Sequence, residues 1–307
     1  QAGADKDKWR CWRDNGIEAV NRDFSWDAHV CNYLASMQKR LEYISSSNGL
    51  VAQEQVVDSP FAQSLLLLDL DSSWEHSDKE SLERLRSTFD SSSSIHAHSL
   101  GVLTGRSIKA ARKRYQDFHL PEPGVWICRA GTEIYYGCSE KLDSFWQSSI
   151  QVDWDRKQVQ NALLSLKDHL IFQTEDQQST YKISYLLREP GEGILPLVRK
   201  KLREQNLAAL PYLRCHWYLD IVPLRASRTE AIRHLVLRWG LSLDKVYVIA
   251  SQQGDAELIR GLTKTVVPSV HDPSLDSLRS QNRVYFASSS KQGILDGLKH
   301  YRFFLNR

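Results

Sequence analysis

Two aspartates, Asp69 and Asp71, close the run SLLLLDLDSSW with a single leucine between them. On an extended strand alternate residues share a face, so both carboxylates point one way and Leu70 the other. The apolar run suits a strand buried on both faces, and in an open α/β sheet the C-terminal ends of such strands border the ligand crevice. Two acids crowded there repel each other unless a cation or proton traffic offsets the charge, which suits a nucleophile with an acid/base partner, or a metal pair. Solvated acids capping the next helix are the plainer alternative. Thr104 follows a second apolar strand in VLTGRS and precedes a helix. A hydroxyl and backbone N–H groups at that junction suit an anion, and an ordinary helix cap by Thr104 or Ser107 explains the same residues. Arg228 in VPLRASRTEAI sets a positive charge at a third strand–helix junction, suited to a phosphoryl group or simply to solvent. Asp255 and Glu257 in SQQGDAEL follow the strand VYVIA, where they can ligate Mg²⁺ through oxygen or balance a helix dipole. Taken in chain order, these are a carboxylate pair, a hydroxyl, a guanidinium and a further acid. Phosphoryl transfer through an aspartyl-phosphate needs those parts.

Positioning them requires strands alternating with helices. After SLLLLDLD come an amphipathic helix at residues 79–89, the strand in SLGVLTGRS and a helix at 107–116. The pattern resumes at LDIVPL and continues through the helix TEAIRHLVLRWG, the strand KVYVIAS, the helix DAELIRGL, the strand VYFA and the helix QGILDGLKHY. That alternation predicts an α/β fold with a parallel sheet. Residues 135–216 have another texture, with alternating strands such as YKISYLL and the helices DRKQVQNALLSL and GILPLVRKKLRE, and read as an inserted second domain. Ahead of the sheet, Trp26, Val30, Tyr33, Leu34 and Met37 recur at helical spacing behind a Ser25 cap, and the polar SSSNGLVAQEQVVDSP reads as a linker.

A chain of 307 residues has room for two domains, and 41% hydrophobic with 25% charged residues excludes wholesale disorder. Forty basic against 37 acidic residues, scattered to a net +3, give no case for a nucleic-acid or membrane-surface partner. Five cysteines without a CxxC pair speak against a disulfide framework or a zinc site and favour a reducing, cytoplasmic home. The longest apolar run, LLLL, is far short of the roughly 20 residues a bilayer span needs. The chain opens at Gln1 and its one methionine is Met37, so it is expected to be the tail of a longer polypeptide. Trp126, Trp146, Trp154 and Trp217 lie near or within the insertion, where sugar rings stack on such side chains, although large aromatics serve cores more often.

SLLLLDLDSSW, VLTGRS and GDAEL resemble the ordered motifs of haloacid-dehalogenase-type phosphatases, and AGTEIYY with YKISYLL resembles their sucrose-phosphate phosphatase branch. VPLRASRTEAIRHLVLRWGLSLDKVYVIA is similar to the phosphatase-like C-terminal domain of sucrose-phosphate synthases, and NGIEAVNRDFSWDAHVCNYL to the segment closing their glycosyltransferase domain. The resemblance implies a three-layer, Rossmann-like parallel-sheet phosphatase core at 61–134 and 217–307, with an α+β cap inserted at 135–216. It also implies a linker at 46–60 and the C-terminal helical segment of a glycosyltransferase domain at 1–45, as in the cyanobacterial or algal two-domain type. The implied activity is Mg²⁺-dependent hydrolysis of sucrose 6-phosphate in sucrose biosynthesis. Asp69 would attack phosphorus, while Asp71 would protonate the departing sugar oxygen and later activate water. Thr104 would hold phosphoryl oxygens, and Arg228 would take the place of the usual lysine. Asp69, the Asp71 carbonyl and Asp255 would bind Mg²⁺, with Glu257 competing for it. Ser73, Gly105, Arg106 and Lys182 are expected to touch substrate, and the glycosyltransferase domain of the same polypeptide is the expected partner. Ser251 stands where active phosphatases have an acid. With Arg228 it favours the alternative, a non-catalytic module that binds sucrose phosphate or stabilises or regulates the glycosyltransferase domain. The intact Asp69–Asp71 pair favours hydrolysis.

Overall fold

The computed structural model describes residues 6–19, 30, 34, 38, 63–71, 79–90, 98–137, 140–288 and 292–305. Residues 1–57 and 58–307 form separate compact units. In the first, Lys6–Ala19 is a helix (α1) that lies ahead of the one expected behind Ser25; of the helix expected near Trp26, only Val30, Leu34 and Gln38 are described, and each is helical. The linker expected at 46–60 lies outside the described residues. No helix among the described residues is long and apolar enough to cross a membrane.

In the second unit the leucine run forms β1 (Ser64–Asp69), buried along its whole length in the middle of an eight-stranded sheet. A strand with apolar residues on both faces can sit only between two covering layers. β1 pairs in parallel with β2 (His98–Leu103) on one side and β10 (Val246–Ile249) on the other. β3 (Val125–Cys128) extends the parallel sheet beyond β2; β11 (Lys264–Val267) and β12 (Val284–Phe286) extend it beyond β10. Leu66 and Leu68 share a core cluster with Leu85 and Phe89 of α2 (Lys79–Asp90), Tyr115 of α3 (Ile108–Tyr115) and Ile294 of the closing helix at Gly293–His300. The register Leu68↔Ile249 and Asp69↔Leu103 brings the ends of β1, β2 and β10 level, so the loops after them share one edge. The result is the α/β, three-layer parallel sheet expected.

The insertion is a four-stranded antiparallel sheet in the order β6 (Leu170–Phe172), β7 (Ile183–Leu187), β9 (Tyr218–Pro223), β8 (Ala209–Arg214). One face packs Ile183, Leu213, Leu219 and Ile221 against Val159 and Val198 of the helices at Arg156–Leu163 and Ile194–Glu204. The limits expected for it, 135–216, need correction at both ends. β4 (Glu133–Tyr136) and β5 (Lys141–Leu142) continue the core sheet in antiparallel fashion, so residues to 142 belong to the core. LDIVPL, expected to resume the core, is β9 and lies inside the second sheet. Leu219, Asp220, Ile221 and Val222 are all buried, because the second sheet has helices on one face and the core on the other, and a strand covered twice reads like a core strand.

Gly101 of β2 lies where an added Cβ would fall 2.7 Å from both Leu67 Cδ2 and Val125 Cγ1. Gly101→Val is expected to cost about 1–3 kcal/mol by overpacking, read as a lower urea midpoint at unchanged m value.

Candidate active site

Each expected residue sits at a strand end because backbone pairing runs past the strand. Leu70 N–H donates to Leu103 O and Thr104 N–H to Ile127 O, so the loops after β1 and β2 leave the sheet side by side. Asp71 N–H donates to Asp69 Oδ1 at 3.1 Å, fixing the two acids relative to each other. Asp71 Oδ1 accepts from Thr104 Oγ1 at 2.9 Å and lies 3.3 Å from Arg106 Nε; its Oδ2 accepts from Gly105 N–H at 2.6 Å. Arg106 N–H in turn donates to Thr104 Oγ1 at 3.1 Å. Asp69 and Thr104 are fully buried, whereas the Arg106 side chain is half exposed.

Arg228 is the first residue of α4 (Arg228–Trp239), behind the Ser227 cap that accepts from Glu230 N–H. Gly131, at φ +95°, lets this turn lie where a Cβ would come within 2.6 Å of the Ser227 backbone. From there the buried guanidinium reaches Asp255 Oδ1 with Nη1 at 2.6 Å and Gly254 O with Nη2 at 2.6 Å, and it lies over the Tyr212 ring at 4.9 Å while bonding the Tyr212 hydroxyl. Asp255 Oδ2 accepts from the N–H groups of Ser251 and Gln252, at 2.9 and 2.8 Å. Glu257 bonds Tyr212 Oη at 3.4 Å. Burial holds the Asp69 carboxyl well above the usual carboxylate range, with Asp255 and Asp71 adding to the rise and Arg228 opposing it. Burial also works against the Arg228 charge, and Tyr212, Asp255 and Asp69 more than offset it. Glu257 is raised chiefly by burial.

A cavity of about 410 Å³ opens above these residues, between core and insertion. Asp71, Gly105, Arg106 and Arg228 line it from the core; Gln173 and Gln177 of the β6–β7 connection, with Arg214 and Tyr218 of the second sheet, line it from the insertion. The latter set was not identified in the sequence, nor was Tyr212. Lys182, expected to face substrate, is a correction. It is fully buried, with Nζ 3.2 Å from both Asp220 Oδ1 and the Gly105 carbonyl oxygen. Cross-strand pairing explains this, since β7, β8 and β9 place Ser184 opposite Asp220 and Asp220 opposite Tyr212 on the face turned to the core. Asp220 also holds Arg214 Nε at 2.9 Å and accepts from Ser184 Oγ at 2.6 Å. Ser73 lies outside the described residues, and none of the four tryptophans lines the cavity.

The Mg²⁺ ion implied by the resemblance does not fit this donor set. Mg²⁺ takes near-octahedral oxygen ligands, through one or two carboxylates and several waters. The Arg228 guanidinium stands 2.6 Å from Asp255 Oδ1, which makes no hydrogen bond among the described residues, two backbone N–H groups take Asp255 Oδ2, and Glu257 turns to Tyr212. Ser251 supplies a neutral side chain at the end of β10. Among the described residues no group of three or more His, Cys, Asp or Glu side chains is arranged to hold a metal ion.

A family model described as sucrose-6F-phosphate phosphohydrolase matches residues 62–302. A protein of Oryza sativa subsp. japonica called "Probable sucrose-phosphate synthase 2" is 26% identical over 300 residues, which cover 86% of this chain and 30% of that one. The sucrose-phosphate synthase of Zea mays is 29% identical over 163 residues, 46% of this chain and 15% of its own. The chain thus spans less than a third of the length of these relatives. Among solved structures, the sucrose-phosphatase of Synechocystis sp. PCC6803 in complex with sucrose and phosphate superposes with a TM-score of 0.71 at 25% identity, covering 78% of this chain and 98% of that one. A haloacid dehalogenase-like hydrolase of Bacillus subtilis shares the fold at a TM-score of 0.55 and 16% identity, over 78% of this chain and 92% of its own.

The buried Lys182–Asp220–Arg214 group gives two expected outcomes. Asp220→Ala strands two cations in the interior and is expected to cost about 3–5 kcal/mol in urea unfolding. Although burial raises it, Arg214 and Lys182 bring the Asp220 carboxyl down to about 2. Unfolded, it titrates near 3.9. Its contribution is therefore present above about pH 4 and is lost as pH falls through 2, so wild-type unfolding free energy measured at pH 4, 3 and 2 is expected to drop stepwise.

Proposed function

Because the chain belongs to the sucrose-6F-phosphate phosphohydrolase family over residues 62–302, we propose that its crevice takes sucrose 6-phosphate and hydrolyses it to sucrose and phosphate. The chain carries a sucrose-phosphate phosphatase-like hydrolase domain linked to sucrose biosynthesis. The proposal adds the substrate, the residues and the larger protein, a polypeptide of sucrose-phosphate synthase type whose glycosyltransferase domain is the partner. The observation that carries it is the convergence of Asp69, Asp71, Thr104 and Arg228 beneath one cavity lined on its other side by sugar-compatible side chains. Gln173, Gln177 and Tyr218 offer amides, a hydroxyl and an aromatic face to a disaccharide.

In the proposed reaction an Asp69 oxygen attacks phosphorus in line, the bond from phosphorus to the sugar oxygen breaks, and Asp71 gives that oxygen a proton. Asp71 then takes a proton from the water that attacks the aspartyl-phosphate, which releases inorganic phosphate and restores Asp69. The Arg228 guanidinium faces the charge that gathers on the phosphoryl oxygens, and Thr104 Oγ with the N–H groups of Gly105 and Arg106 would exchange their present partners, Asp71 and Thr104, for those oxygens. Attack requires the ionised Asp69, which burial, Asp255 and Asp71 oppose and Arg228 favours. Phosphatases of the haloacid-dehalogenase superfamily generally use Mg²⁺.

A second reading, retention of sucrose phosphate without turnover, is favoured by one observation: Asp255 is taken by Arg228, and Ser251 adds no acid. Release of inorganic phosphate from sucrose 6-phosphate by the full chain decides between them. The first reading expects release, lowered at least ~10³-fold by Asp69→Asn. Calorimetric binding with no release selects the second.

A further inference from the structure

We infer that the Arg228 guanidinium holds, in this chain, the electrostatic place of a divalent cation, so that the crevice binds a phosphate-bearing ligand without any metal. The inference rests on reading the crevice as a phosphate site, and it applies to both chemistries above.

Three observations carry it. Asp255 is occupied from two directions: Nη1 of Arg228 stands 2.6 Å from Oδ1 in an ion-pair contact that is not a hydrogen bond, and two backbone N–H groups take Oδ2. The guanidinium is held from several sides at once, by Asp255, the Gly254 carbonyl, the Tyr212 hydroxyl and the Tyr212 ring. Gly254 leaves it that space, since a Cβ there would lie 2.9 Å from Tyr212 Cε1 and 3.2 Å from Arg228 Nη2. Lastly, Arg228 lines the cavity while its buried Nε has no hydrogen-bond partner among the described residues. A buried donor without a partner is costly, and a phosphoryl oxygen entering the cavity supplies the acceptor it lacks.

The same geometry bars a divalent ion. An ion bridging Asp69 and Asp255 would have to displace the guanidinium from Asp255 and then sit beside it in the interior, where like charges repel with little screening. Arg106 lies 3.3 Å from Asp71 and Arg228 2.6 Å from Asp255, so two of these three acids already have a cation beside them. Ser251 supplies no carboxylate beside Asp255, and Arg228 supplies a fixed positive charge there.

The test has two independent arms on the full chain. Mn²⁺ alone is titrated and followed by electron paramagnetic resonance. Wild type is expected to show no saturable site below about 1 mM, and Arg228→Lys/Ser251→Asp, shown to be folded by circular dichroism, is expected to gain one at least ~10-fold tighter. Should that double variant fail to fold, Ser251→Asp alone is expected to tighten Mn²⁺ binding in the same direction. Saturable Mn²⁺ binding by wild type, or no gain in a folded variant, overturns the inference. In the second arm, inorganic phosphate and sucrose 6-phosphate are titrated calorimetrically in EDTA and in Mg²⁺. Equal affinities within about twofold support the inference, and a loss of tenfold or more in EDTA overturns it. Phosphate binding in EDTA without sucrose 6-phosphate binding in either buffer sinks the substrate proposed above while leaving the metal-free site standing.

Discussion

A guanidinium and three carboxylates share the interior at the edge of the core sheet, and most of the site follows from how that charge is kept there. Two unit charges in contact are worth roughly 4–6 kcal/mol at an effective dielectric near 20, similar to the several kcal/mol that each ion loses on leaving water. The Arg228–Asp255 pair alone therefore comes close to breaking even. What tips the balance is everything else arranged on it: two N–H groups on Asp255, a carbonyl and an aromatic face on Arg228. Those partners come from two separated segments, residues 251–254 of the core and β8 of the insertion, so the charges can be buried only once the core and the inserted sheet have both formed.

The strand β8 joins the two sheets electrostatically. Its alternation sends Leu213 into the apolar cluster of the insertion and Tyr212 and Arg214 towards the core. Tyr212 meets Arg228 and Glu257, while Arg214 lies so close to Gly105 that a Cβ there would fall 3.0 Å from its guanidinium carbon. Asp220 on the next strand holds both Arg214 and Lys182, and Lys182 bonds the Gly105 carbonyl oxygen. The loop that carries Gly105 and Arg106 is thus braced by a buried ionic group on the other sheet. Movement of the insertion relative to the core would disturb the loop and the Arg228 contacts together.

Sequence patterning made the core ends of the site legible because each lay just past a continuous apolar strand with a helix behind it. DLD, TGR and the arginine of RTEAI all announce themselves by a switch from apolar run to polar residues at a strand–helix junction. The wall contributed by the insertion had no such marker. β8 reads ALPYLR, with a proline inside it and mixed burial, so it did not register as a strand. Tyr212, Arg214 and Lys182 take their roles from cross-strand neighbours tens of residues away, which no local period can show. LDIVPL misled for the opposite reason, since a buried ion-pairing aspartate leaves an otherwise apolar run looking like core. β11, four residues long, also went unread beside stronger signals.

The choice of arginine at residue 228 has a geometric reason that charge alone does not supply. A lysine ammonium is a point charge on a flexible stem, able to meet Asp255 or the Gly254 carbonyl but without a plane to lay on an aromatic ring. The guanidinium is flat and forked. It reaches a carboxylate with one nitrogen and a carbonyl with the other, covers the Tyr212 ring, and still keeps Nε–H unspent. Tyr212 comes from the inserted sheet, so the same side chain that neutralises the core acids also senses whether that sheet is in place. A divalent ion coordinated by the core acids alone would have no such dependence. Exchanging an ion for a guanidinium therefore changes more than the source of positive charge: it makes the charge balance of the crevice conditional on contact with the insertion.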